Sequence, residues 1–349
     1  MQLTARDQEV LGAIVTDYIK TGEPVGSRTI AKRYGLNVSP ATIRNVMADL
    51  EEIGLLHRPH TSAGRIPTER GFRFYLDSIV QFRKLEREER ERIRNAFKNT
   101  SPDFRELLRQ TSQVLSRFCQ QASVVLWPRL SVTRFKHIEF IRIRANKILV
   151  VLISKAGLVH QTTLDSDEDI SQDELIKYSN YLNELLADIP LGEVKERILQ
   201  EMRDEKVLFD QLYSRALEIT QRVFQSSLGN SDVYIEGRLN LLNNPEFSDV
   251  DRLRRILEAF EDKARMVKLL DLTLSVSTGV KIILGTESEL QDLNEIGLIS
   301  SPYRKGGTLL GALGVIGPIR MDYSRIIPVV EFTADILSEL FEEPTGLGQ

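Results

Sequence analysis

The tightest constraint on this chain is local: between residues 4 and 67, three helix starts, each closed by a stop signal, run directly into a hairpin. Thr4 with Asp7 three positions on has the form of a capping box, and Val10, Leu11, Ile14, Val15 and Tyr18 recur on one helical face. That pattern stops at Thr21-Gly22-Glu23-Pro24. A short second helix is expected from Ser27, burying Ile30, Ala31 and Tyr34 and ending at Gly35, a residue suited to the left-handed position past a helix end. The third start is the clearest, with Ser39 as N-cap, Pro40 at the first helical position, and Ile43, Val46, Met47, Leu50 and Ile53 before Gly54. Residues 55–60 then read as a strand, 61–64 as a turn and 65–67 as a return strand. Three helices followed by a hairpin is the winged helix-turn-helix plan.

The chemistry of the third helix suits DNA. If Ile43, Val46, Met47 and Leu50 face inward, then Ala41, Arg44, Asn45 and Ala48 face outward. Alanines permit close approach to a major groove, Arg can bridge guanine O6 and N7, and Asn can pair with adenine N6 and N7. Thr42, Arg44 and Asn45 are therefore the expected base contacts, near the helix N-terminus where recognition helices read. Ser27, Arg28 and Ser39 stand at or beside helix N-termini, where hydroxyls and backbone N–H groups can hold phosphate. Arg58 and Arg65 flank the expected wing. Taken singly, these are also what caps and surface arginines look like, and His57 and His60 could touch DNA or simply be exposed. The conjunction carries the reading, because residues 28–73 hold a net +4 inside a chain of net −4. A polyanion should bind near the N-terminus.

With 349 residues the chain exceeds the ~250 to 300 at which single cores stop growing, so two or three domains are expected. From Thr68 a long helical pattern, with Phe72, Tyr75, Leu76 and Ile79 on one side, is expected to continue through 83–94, where interleaved charges suggest a solvated bridging helix. Then come a helix over 104–122 and an apolar strand over 124–127. Residues 135–143, 147–154 and 157–164 read as three strands with short turns, hence an antiparallel sheet, followed by helices over 171–187, 191–202 and 206–227. After a break at 229–231, strands are expected over 233–235, 280–285, 299–304 and 308–316, and helices over 250–270 and 324–342. The class is α+β, multidomain.

Other chemistries fit poorly. No phosphate-loop, HExxH or GxSxG motif is present, and the glycines from Gly306 to Gly317 sit among apolar residues as in a tightly packed strand. The single cysteine, Cys119, cannot form an internal disulfide and lies near an apolar helix face; the four histidines build no zinc pattern. The acidic run 165–169 lacks EF-hand spacing and reads as a solvated loop. No catalytic residue, metal or cofactor is expected. The opening MQLTARDQEVLG lacks a signal-peptide order, and no stretch reaches the roughly 18 apolar residues of a membrane span, so a cytoplasmic protein without a membrane partner is expected.

The segment GEPVGSRTIAKRYGLNVSPATIRNVMADLEEIGLLHRPHTSAGRIPTERGFRFYLD, residues 22–77, resembles the N-terminal signature of the HrcA family of bacterial heat-inducible transcription repressors. The likeness extends to GTLLGALGVIGPIRMDYSRIIPVVEFTADILSELF, residues 307–341, and so spans nearly the whole chain. It implies a winged-helix DNA-binding domain over 1–72, a linker helix over 73–103, a GAF-like α/β domain from 104–134 and 230–343, and an inserted dimerisation domain over 135–229 with a small antiparallel sheet and helices. It also implies a homodimer that represses the class I heat-shock operons of the chaperonin and the Hsp70 machine. Its double-stranded DNA target would be the inverted repeat CIRCE, and the chaperonin GroEL would maintain the active form. Two other readings remain at this stage: a winged-helix regulator gated by a small effector in the GAF-like domain, and an enzyme carrying an accessory DNA-binding domain.

Overall fold

The computed structural model describes residues 3–60, 63–98, 103–128, 130–166, 169–202, 216–220, 233–242, 247, 249–274, 279–288, 294 and 296–342. Its N-terminal unit follows the expected order: α1 (Ala5–Thr21), α2 (Ser27–Arg33), α3 (Pro40–Glu52), then strands β1 (Leu56–His57) and β2 (Ile66–Pro67), paired antiparallel. The Thr4–Asp7 capping box is present, and Val10, Leu11, Ile14 and Val15 are buried with Ile30, Ile43, Met47 and Leu50 in one core. Fully burying each such side chain contributes roughly 1.5–3 kcal/mol, which is what holds three short helices together. Asp17, buried on α1, accepts a hydrogen bond from Arg33 on α2 at 2.8 Å.

The expected continuous helix over 68–94 is not formed. Helix α4 (Glu69–Ser78) ends at Ile79, and α5 (Arg87–Asn95) starts afresh after a non-helical link. Glu89 explains the restart, since its carboxylate accepts from the Glu86 backbone N–H at 3.2 Å and from two Arg83 nitrogens at 2.7 Å each. Those bonds cap a new helix where an unbroken one would have spent the Glu86 N–H on its own ladder. Helix α5 exposes most of its length to solvent but is docked along one side. Ile93 is fully buried, Arg90 and Arg94 lie over the Phe332 ring at 5.6 and 5.8 Å, and Arg94 pairs with Glu339 at 3.2 Å.

The C-terminal unit is built on a five-stranded antiparallel sheet in the order β7-β3-β10-β9-β8, from β3 (Ala122–Leu126), β7 (Val233–Glu236), β8 (Lys281–Leu284), β9 (Ile296–Lys305) and β10 (Thr308–Pro318). Its strands alternate between two cores: Ala122, Val124 and Leu126 face one side, Val125 the other. Helix α6 (Phe104–Cys119) and the C-terminal helix Tyr323–Glu342 cover one face. On the other lie Val250–Glu261 and Lys263–Leu274, two helices separated at Asp262 where one was expected over 250–270. Of the glycine-rich stretch, Gly311, Gly314 and Gly317 lie in strand β10, as expected of a packed strand, while Gly306 and Gly307 form the turn before it; a Cβ on Gly314 would lie 2.5 Å from the Ile299 carbonyl oxygen of β9. Cys119 is buried, and burial pushes its thiol up to about 12. The folded protein should therefore resist alkylation at mildly alkaline pH and react only after denaturation, whereas labelling of the native state within minutes would place that thiol in water.

A second, three-stranded antiparallel sheet holds β4 (Phe135–Arg144), β5 (Lys147–Ser154) and β6 (Val159–Asp165). Helix α7 (Gln172–Leu185) guards the β4 edge with side chains: Asn183 bonds both backbone groups of Ile138, Ser179 accepts from Phe140 N–H, and Gln172 accepts from Arg142 N–H. An edge so occupied cannot recruit another strand. Residues 133–135 and 189–191 run side by side, so the chain leaves this unit where it entered. Helix α8 (Val194–Met202) follows. The helix expected over 206–227 lies outside the described residues except for 216–220, which are helical, and the break at 229–231 also lies outside them.

Candidate nucleic-acid interface

The two units are tied together in a way that fixes how α3 is presented. Arg73 on α4 bonds both Glu287 oxygens and donates to the Ile282 carbonyl at 3.0 Å, while Glu69 accepts from the Thr286 N–H at 3.1 Å and hydroxyl at 2.8 Å. Arg320, just before the C-terminal helix, donates to the Ile19 carbonyl at 2.9 Å. A cation at the last turn of α1 meets the negative end of that helix dipole.

On α3, Ile43, Val46, Met47 and Leu50 are buried while Ala41, Arg44, Asn45 and Ala48 are exposed. The outward face is thus two small residues and two donors, as the helical wheel predicts, with the exposed Asp49 toward its C-terminal end. Ser39 caps the helix, its hydroxyl accepting from Thr42 N–H at 3.1 Å and standing 3.0 Å from the Thr42 hydroxyl. Thr42 is half-buried, at the rim of the reading face. Ser27 is the first residue of α2 and half-buried, with Gly26 as N-cap, and Arg28 beside it is exposed. These residues all lie at the N-terminal ends of α2 and α3.

The hairpin arginines differ from one another. Arg58 is exposed just beyond the end of β1; His57, the last residue of β1, and His60 are exposed too. Arg65 is not a free cation: its Nε and one terminal nitrogen lie 3.0 and 2.8 Å from Glu51 Oε2, its side chain only 12% exposed. Its backbone exchanges two hydrogen bonds with Val25, and a Cβ on Gly64 would meet the Val25 carbonyl oxygen at 2.4 Å. The wing is therefore clamped on one side to the loop before α2 and on the other to α3. Reading the helix wheel for bases alone missed Glu51 and Val25. The signal available was an acid near the end of the reading helix, in a segment otherwise rich in arginine.

Two family models match the chain. Residues 2–76 match a model described as "Winged helix-turn-helix transcription repressor, HrcA DNA-binding", and residues 105–327 match "HrcA protein C terminal domain". The chain belongs to the HrcA family. The heat-inducible transcription repressor HrcA of Syntrophobacter fumaroxidans is 74% identical over 342 residues, 98% of both chains. That of Geobacter sulfurreducens is 46% identical over 340 residues, 97% of this chain and 98% of its own. A crystal structure described as a hypothetical protein is 23% identical with a TM-score of 0.61, covering 97% of this chain and 99% of its own, and bears on the fold alone. HrcA proteins so named are transcription repressors, regulators and not enzymes. The exposed face of α3 accordingly lies within an HrcA DNA-binding winged helix. Among the described residues no helix is long and apolar enough to cross a membrane.

Proposed function

We propose that this protein is a cytoplasmic, dimeric repressor of the class I heat-shock operons for the chaperonin and the Hsp70 machine. Each subunit places α3 in one half of the CIRCE inverted repeat. The observation that carries the reading is the exposed face Ala41-Arg44-Asn45-Ala48 within a segment matched to the family's DNA-binding model. Thr42, Arg44 and Asn45 read base edges; Ser27, Arg28 and Ser39 hold phosphates; Arg58 and Arg65 serve the wing. A two-fold protein on a two-fold site accounts for the symmetry of such an operator.

Dimerisation is assigned to the inserted domain, 135–229, within a GAF-like domain made of 104–134 and 230–343. Its support is the open face of the β4-β5-β6 sheet, where Ile141 and Val159 are exposed and Leu149, Val151 and Ile153 are half-buried. Cross-strand pairing of Ile141 with Leu149 and of Ile153 with Val159 makes these one apolar stripe. GroEL is proposed to shift the repressor toward its folded, DNA-competent form by mass action, and unfolded proteins made by heat compete for that chaperonin. Repression then reports free chaperonin.

Arg44→Ala tests the interface. Loss of a bidentate base contact should cost ~1 to 3 kcal/mol of binding and relax preference at one base pair, read by anisotropy on operator duplexes with single substitutions. An unchanged preference at every position would remove Arg44 from the reading surface.

A further inference from the structure

Glu51 faces two arginines of the wing. Its Oε2 lies 2.8 Å from Arg65 and 3.8 Å from Arg58, on the last turn of α3. Near the C-terminal end of a helix a carboxylate is poorly placed for the helix dipole, and on a surface built to meet phosphate it subtracts charge. Its partners supply the compensation. Arg65 is 12% exposed at the side chain and held on its backbone by Val25, so the pair is fixed in geometry from the arginine side, while Glu51 keeps 32% exposure.

We propose that Glu51 is a positioning and specificity-determining residue: it fastens the wing to the reading helix through Arg65 and withholds part of the wing's positive charge from DNA. Two consequences follow from the geometry. The wing enters its groove only in the register that α3 dictates, so wing and helix read one site together. Non-specific binding, which depends on counting free cations against phosphates, is kept low, so the ratio of specific to non-specific affinity is raised from below. The inference rests on the DNA-binding reading of this same surface and adds a residue that makes no DNA contact of its own.

Glu51→Gln removes the charge while keeping the size and an acceptor oxygen for Arg65, and it is measured in the full-length protein against an inverted-repeat operator duplex and a scrambled duplex over a salt series. The expected result is a gain of affinity for the scrambled duplex at low salt, a salt slope steeper by about 0.9 for each extra phosphate engaged, and a specificity ratio lower by roughly threefold or more. Adding Arg65→Gln to Glu51→Gln removes the cation that Glu51 holds at 2.8 Å together with its partner, so the slope should return toward wild type. If wild type prefers the operator and folded Glu51→Gln keeps its slope and its ratio, the clamp is refuted and the DNA-binding reading stands. If Glu51→Gln instead weakens both duplexes equally with no change of slope, Glu51 is only structural and the proposal fails. If wild type itself shows no preference, both fall together.

Discussion

Ile141→Asp should convert the protein to a monomer and lower its affinity for the full inverted repeat by about 100-fold or more, while binding to an isolated half-site stays unchanged. Ile141 sits opposite Leu149 on the open face of the three-stranded sheet, 36% exposed, so a carboxylate there is tolerated in a lone subunit and becomes costly only when a partner covers it. The size of the effect follows from linkage. Once one recognition helix is seated, the second binds at the effective concentration set by the dimer, and that advantage vanishes with the dimer. Light scattering gives the mass and anisotropy the two affinities. A variant that remains dimeric would move the subunit interface off this face.

Phe341→Ala should cost ~3 to 5 kcal/mol of stability in the C-terminal unit. The Phe341 ring is stacked between Phe104 at 5.2 Å and Tyr303 at 5.6 Å, nearly parallel to both, and is 1% exposed. It thereby joins the C-terminal helix, the start of α6 and strand β9 at a single point. Removing it leaves a cavity between three elements that cannot all collapse at once, and it strands the Tyr303 ring, whose hydroxyl donates to the Leu126 carbonyl. Trp127, the only tryptophan, lies next to that carbonyl in the chain, so its fluorescence follows urea unfolding of the same region. A loss under about 1 kcal/mol would show that the site repacks.

The N-terminal unit was legible because its signals are short-range. Ser39-Pro40 starts α3, Gly54 lies just past its end, and the faces of a thirteen-residue helix follow from periodicity alone. The three-strand sheet was equally plain, since the apolar run 148–153 and the brief turns on either side of it mark both strands and pairing. The link after α4 was not legible, because what breaks the helix is Glu89 reaching back to Arg83 and Glu86, a choice between two sets of hydrogen bonds that charge patterning does not settle. The same holds for Arg65. In sequence it is one more wing cation; in the fold it is bound to Glu51, fourteen residues earlier, because Val25 and Gly64 bring the strand against α3. Whether a charge is available depends on tertiary neighbours, so the side chains of a DNA-facing surface can be named from spacing while their division between contact and support cannot.

In the proposed function this winged helix reads an inverted repeat under chaperonin control. Anisotropy of a labelled CIRCE duplex and a scrambled duplex, titrated with the purified protein at two salt concentrations with and without GroEL, tests it most directly. Salt sensitivity by itself decides nothing, since any basic surface gives it. A repressor of the proposed kind should prefer CIRCE strongly at both salts, and GroEL should increase that preference. Equal, weak binding to both duplexes by a folded dimer, unchanged by GroEL, would contradict it.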